Sequence, residues 1–203
     1  MTSRRLLAAV ALLTLASTAR AADEVAARVN GTPITTAMVN QVVKGAISGQ
    51  AQPPSSEEIS KLSDAALRSL IDLELLAQSA TARGITISDA QVDAEIARQK
   101  ARFPTAADYD KAMAASGLSP AALRAETRKT LQVNRLLETV VWKDVTVSPE
   151  AVRAYYDQHK AELGGKSFDA LRAAITVALR DEARDQAQQA YVAGLRQSAK
   201  IEP

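Results

Sequence analysis

The chain has 203 residues, enough for one domain or two small ones around a real apolar core. Its 25 Lys and Arg against 23 Asp and Glu give +2, but Arg4, Arg5 and Arg20 stand in a segment expected to be removed; without them the net charge is −1, with no electrostatic case for nucleic acid or anionic membrane. The absence of cysteine excludes disulfides, thiolate metal sites, a thiol nucleophile and an acylated N-terminal Cys, and a single histidine excludes a multi-His metal centre.

Residues 1–21 read as an address. Arg4 and Arg5 precede the apolar run Leu6 to Ala16, and Ala19-Arg20-Ala21 offers small residues where a signal peptidase cuts. The run is well short of the ~20 residues a spanning helix needs. The expectation is export to a bacterial periplasm, cleavage after Ala21, and a mature chain of 182 residues with no integral membrane segment.

The mature chain opens with weakly alternating Val25 to Val29, then Asn30-Gly31 and Thr32-Pro33-Ile34-Thr35. Asn-Gly tolerates positive φ at both residues, so the spacing predicts a tight β-hairpin. Beyond it the chain, rich in alanine and only 3% aromatic, reads as helical, with segments expected at 36–49, 56–83, 89–102, 105–116, 120–143, 149–163 and 168–198. Ile87-Ser88-Asp89 leads to Val92, Leu118-Ser119-Pro120 to Leu123, and Val147-Ser148-Pro149 to Val152. In each, Ser caps the helix, Pro or Asp fits the first turn, and the flanking apolar pair forms a staple. Ser167 repeats the cap, and Gly84 and Gly117 stand where C′ glycines belong.

Within the second helix, Leu67, Leu70, Ile71, Leu73, Leu75 and Leu76 cover nearly every side, which marks the centre of the core. Asp72 and Glu74 read as a narrow polar edge on it. The last helix carries an apolar stripe of Phe168, Leu171, Ile175 and Leu179, a polar middle from Arg180 to Gln189, and Tyr191, Val192 and Leu195 beyond. It is expected to be packed at both ends and solvated between. Ala199 to Glu202 is expected as a short strand joining the hairpin, and Trp142 as an anchor for the junction with the following helix.

No catalytic constellation emerges. Gly165-Lys166-Ser167 mimics the end of a phosphate loop, but Lys160 stands where the first glycine is required. His159 reads as a solvated or locally bonded side chain, and Ser88, Ser119, Ser148 and Ser167 are already explained as caps. The reading assigns no catalytic residue, no cofactor, no metal and no nucleotide.

Four motifs nevertheless occur in an order that resembles the SurA family of periplasmic chaperone/prolyl isomerases. Val29-Asn30-Gly31-Thr32-Pro33-Ile34-Thr35 is similar to its N-terminal hairpin, and Leu70-Ile71-Asp72-Leu73-Glu74-Leu75-Leu76 to its central helix. Arg83 to Asp89 is similar to its connector, and Val145 to Glu150 through Tyr155-Tyr156 to the entry of its linker helix. The resemblance covers about 24–163 and resumes near 168–203. It implies a mainly α, multi-helix SurA N-terminal-like fold with a small hairpin. It also implies an ATP-independent holdase that binds unfolded outer-membrane or secreted chains. Most of the family carries a parvulin domain between the linker and closing helices. Here only Gly164, Gly165 and Lys166 separate Leu163 from Ser167, and a domain needs at least ~50 residues. The expected organisation is thus a helical domain over 22–163, a joint at 164–166 and a closing helix and strand over 167–203. Prolyl isomerase activity by inheritance and a dedicated accessory subunit of an export system stand as alternatives. Phe103, Tyr109 and Met113 are the candidate client contacts: Tyr109 and Met113 lie one turn apart, and methionine adapts to varied partners.

Overall fold

The computed structural model describes residues 24–48 and 52–203; the expected leader at 1–21 lies outside them. A β-hairpin pairs β1 (Val25–Val29) with β2 (Thr32–Thr35) through Asn30 at φ 51° and Gly31 at φ 87°, the left-handed pair the Asn-Gly spacing predicts. The short strand β3 (Ile201–Glu202) lies antiparallel on the other side of β1, giving the order β2-β1-β3.

Seven α-helices accompany this sheet among the described residues: α1 (Thr36–Ile47), α2 (Ser56–Ala82), α3 (Asp89–Lys100), α4 (Ala106–Ser116), α5 (Pro120–Leu136), α6 (Pro149–His159) and α7 (Phe168–Ser198). Ser88, Ser119, Ser148 and Ser167 each accept from a backbone N–H in the first turn, so all four expected caps form. Ser55 adds a reciprocal capping box with Glu58 at the start of α2.

The core forms around α2. One apolar cluster joins Val29 and Ile34 of the hairpin to Val39 and Val43 of α1 and to Ile71 and Leu75 of α2. A second joins Leu76 and Ala80 to Val133, Leu136 and Leu137 and to Val192 of α7. The third is separate: Val152 and Tyr156 of α6 meet Ile175 of α7, with Phe168 and Leu171 against them. Thus α7 is packed at both ends and polar between, as its sequence implies.

Three expectations need correction. The helix expected over 120–143 is α-helical only to Leu136; Leu137–Val141 form a π-helical turn, and Trp142 N donates to the Leu137 carbonyl at 2.7 Å. Trp142 anchors a different neighbour from the one expected. Its indole N–H donates to the Arg184 carbonyl of α7 at 3.1 Å, and the Arg184 guanidinium lies over the ring at 5.2 Å. The helix expected to reach 163 stops at His159; the chain turns over residues 160–165, with Gly164 and Gly165 at left-handed φ and Tyr156 Oη donating to the Lys166 carbonyl beyond them.

Polar clasps hold α2 to its neighbours. Asp72 meets Arg196 of α7 at 2.6 Å, and Glu74 meets Lys129 of α5. Gln78 accepts from Asn30 at 2.7 Å and donates to the Val29 carbonyl and to Glu74, tying the hairpin turn into the same network. What reads as a narrow polar edge on α2 is therefore two interhelical ties facing different partners.

Candidate functional site

Three elements build an open recess on one side of the molecule. α3 and α5 form its floor, held together by Arg124 pairing with Asp93 and Asp89 and by Arg128 pairing with Asp89. Val92 of α3 is fully buried and Thr127 of α5 nearly so. α4 forms the wall. Thr105 caps it, with Asp108 N donating to Thr105 Oγ1 at 3.1 Å and the hydroxyl donating back to the Asp108 carboxylate at 2.7 Å. Gly117, at φ +69°, ends it. No residue of α4 is buried, although the helix carries Tyr109 and Met113 on one face.

That face looks into a cavity of about 380 Å³ lined mainly by Ile96, Tyr109, Met113, Leu118 and Leu123, with Asp110 and Arg124 at its edge. Phe103 stands in the turn before α4, 37% exposed, and meets the Tyr109 ring edge-on at 5.4 Å. Lys100 Nζ lies 5.4 Å from the centre of the same ring. The structure thus brings the three residues selected from sequence together: two line the recess and the third supports one of them. Sequence reasoning missed Ile96, Leu118 and Leu123. Leu118 and Leu123 carried a signal, since they flank Ser119 as a staple, but a staple does not reveal that its far side faces open space.

A larger recess, about 700 Å³, lies between α6 and α7 beside Val147, Pro149, Val152 and Phe168. Its character differs. Arg153 pairs with Asp157 at 2.9 Å and lies 4.9 Å from the centre of the Phe168 ring, covering that aromatic surface with a charge. His159 stacks on Tyr155 at 4.4 Å with Nδ1 3.4 Å from Glu162, the local bonding its sequence context suggests. Among the described residues no group of three or more His, Cys, Asp or Glu side chains is arranged to hold a metal, and no helix is long and apolar enough to cross a membrane.

One side chain in the core is electrostatically tuned. Burial pushes the Glu74 carboxyl up, but hydrogen bonds from Lys129 and Gln78 and the ammonium charge outweigh it, so the net position is below the ordinary 4.5. This group ties α2 to α5 and, with Lys129 and Gln78, lines a recess of about 460 Å³ between the two helices.

The described residues thus form a helical unit with a small sheet and an open apolar recess. Comparison with known proteins gives the family. Residues 5–137 match the SurA-like N-terminal domain, and the chain belongs to that family. It is 30% identical over 138 residues to the chaperone SurA of Legionella pneumophila strain Paris, covering 66% of this chain and 32% of that one. It is 31% identical over 147 residues to the chaperone SurA of Chromobacterium violaceum, and 24% identical over 140 residues to the foldase protein PrsA of Clostridium acetobutylicum. The chain spans about a third of the length of the SurA relatives it matches. In fold, it resembles a structure from two related SurA-like chaperones of Campylobacter jejuni, with a TM-score of 0.56, 16% identity, and coverage of 88% of this chain and 98% of that one. No unit of parvulin size stands between Leu163 and Ser167.

Proposed function

We propose that the protein is an ATP-independent periplasmic holdase that keeps unfolded outer-membrane or secreted chains from aggregating. The observation that carries this reading is the recess between α3, α4 and α5, apolar and open on a member of a chaperone family. Unfolded chains expose apolar surface, and reversible burial of part of it competes with their self-association. Release then follows from modest affinity and from the client's own folding. Phe103, Tyr109 and Met113 are the client contacts on this reading, with 22–163 as the binding domain, 164–166 as the joint and 167–203 as the closing segment. The relatives' chaperone role supports it, as does the match of an exported-type leader at 1–21 with a periplasmic site of action.

The test is suppression of aggregation of a chemically denatured reporter. Replacing Phe103, Tyr109 and Met113 together by Ser is expected to abolish most of the suppression while leaving Tm nearly unchanged. Unchanged suppression, or a large drop in Tm, would refute the assignment.

A further inference from the structure

We propose that the recess between the end of α2, the end of α7 and the hairpin turn binds the C-terminal end of a client chain, with the free carboxylate on Arg83 and an apolar last side chain against Leu195 and its neighbours. The site shares no residue with the recess between α3, α4 and α5. The inference rests on the chaperone reading only for the identity of the chain that supplies the terminus.

Three observations carry it. The first is charge. This recess, of about 460 Å³, takes its polar lining from Asn30, Gln78, Ser79, Arg83 and Ser198, a cation with no carboxylate among its walls. Four other recesses of the described residues each hold at least one carboxylate: Asp110 with Arg124, Glu150 and Asp157 with Arg153, Glu74 with Lys129, and Asp72 and Asp185 with Arg196. Glu74, which accepts from Gln78, is already countered by Lys129. The electrostatic complement of the recess at Arg83 is an anion.

The second observation is how Arg83 is held. Its Nε donates to Tyr191 Oη at 3.1 Å, that oxygen lies 2.7 Å from Ser79 Oγ, and the guanidinium stands 5.9 Å from the centre of the Tyr191 ring. One edge of the guanidinium is thereby fixed. The two terminal nitrogens have no partner among the described residues, and they form the edge that takes both oxygens of a carboxylate. Both helices end here, and helix C-termini disfavour an anion. Their last carbonyls are largely taken, however: Ser79, Ala80 and Thr81 accept from the N–H groups of Arg83, Ile85 and Gly84, and Leu195 accepts from Ser198 Oγ. What remains of that field keeps the affinity modest, as release without ATP requires.

The third is the apolar surface beside the cation, from Ala82, Leu195 and Ala199. A chain terminus carries its carboxylate and its last side chain on the same carbon, so the two engage Arg83 and this surface together. An aspartate or glutamate within a chain carries its carboxylate at the tip of its own stem, with no apolar branch beside it. The volume, in the lower half of the roughly 300–1,000 Å³ that binding pockets occupy, suits a terminal residue.

The test is fluorescence anisotropy with a peptide of uncharged residues, labelled at its N-terminus and ending in leucine. Three forms are compared: a free terminal carboxylate, a terminal amide, and a terminal amide with one glutamate within the chain. The free acid is expected to bind about fivefold more tightly than either amide at low salt, the gap closing as salt rises. Arg83→Gln is expected to lower the free acid to the affinity of the amide while the circular dichroism spectrum stays that of the native chain. Equal affinity for acid and amide on the native chain overturns the site, as does a preference that persists in Arg83→Gln or a free acid that does not bind. A glutamate-bearing amide that binds as tightly as the free acid overturns the assignment to a chain terminus. Preference for the acid without suppression of reporter aggregation would sink the chaperone reading and leave the carboxylate site standing; suppression without preference does the reverse.

Discussion

α2 and α4 are both amphipathic helices of the same chain, yet one is gripped from several sides and the other from one. α2 buries Ala66, Ile71, Glu74, Leu75, Leu76, Ala77 and Ala80 against the hairpin, α1, α5 and α7, while α4 buries none of its residues. The difference is one of surroundings more than of composition. An apolar residue on α2 is met by facing helices and sheet, and one on α4 is met by a platform with open space beside it. Burial is thereby divided between elements: α2 buries its middle and C-terminal half in the core and leaves Ile59 near its start 41% exposed, while α4 keeps Tyr109 and Met113 only half-buried beside the recess.

The strongest way to break this contrast is at Leu75, 3% exposed and central to the first core cluster. Leu75→Ala is expected to destabilise the chain by about 2–5 kcal/mol in denaturant unfolding, from lost transfer energy and an incompletely collapsed cavity. A smaller effect would mean that α2 is less of a keystone than its burial indicates.

Next comes the clasp beside it. Lys129→Met leaves the Glu74 carboxylate 8% exposed and without its counter-charge, and about 1–3 kcal/mol is expected to be lost for a buried group deprived of its partner. The same pair gives a pH signature. Glu74 titrates lower in the folded chain than its ordinary 4.5, so it binds protons more readily when unfolded. Its stabilising contribution is complete above that ordinary value and is lost as pH falls through the folded one. Acid unfolding followed by circular dichroism is therefore expected at higher pH in Lys129→Met than in the native sequence. An unchanged acid limb would show that the clasp does not contribute.

Much of this architecture was legible because the devices that write it are local. The hairpin follows from Asn30-Gly31, and four helix starts follow from Ser88, Ser119, Ser148 and Ser167, since turn and cap chemistry act within a few residues. What escaped is set by neighbours distant in sequence. Nothing in the pattern from Pro120 to Lys143 distinguishes an α-turn from the π-turn at Leu137–Val141, and the target of Trp142 lies 42 residues away at Arg184. Asp72 and Glu74 belong to opposite ties for the same reason: their partners, Arg196 and Lys129, are far along the chain. The recess was half legible. Tyr109 and Met113 show as a face on a short helix, but the lining from Ile96 and Leu123 appears only when α3 and α5 are brought beneath it.

The finest test of the contrast is at Met113, which lines the recess without being buried. Met113→Ala removes part of the grip of α4 on its platform and nothing from the α2 core, so global stability is expected to change by less than about 1 kcal/mol. The visible effect is local, with α4 amides exchanging faster while those of α2 and α5 keep their protection. Combined with Leu75→Ala, the stability changes are expected to add within about 0.5 kcal/mol, as they do for sites that share no partners. Marked non-additivity would couple α4 to the core and remove the physical basis for treating it as a separate wall.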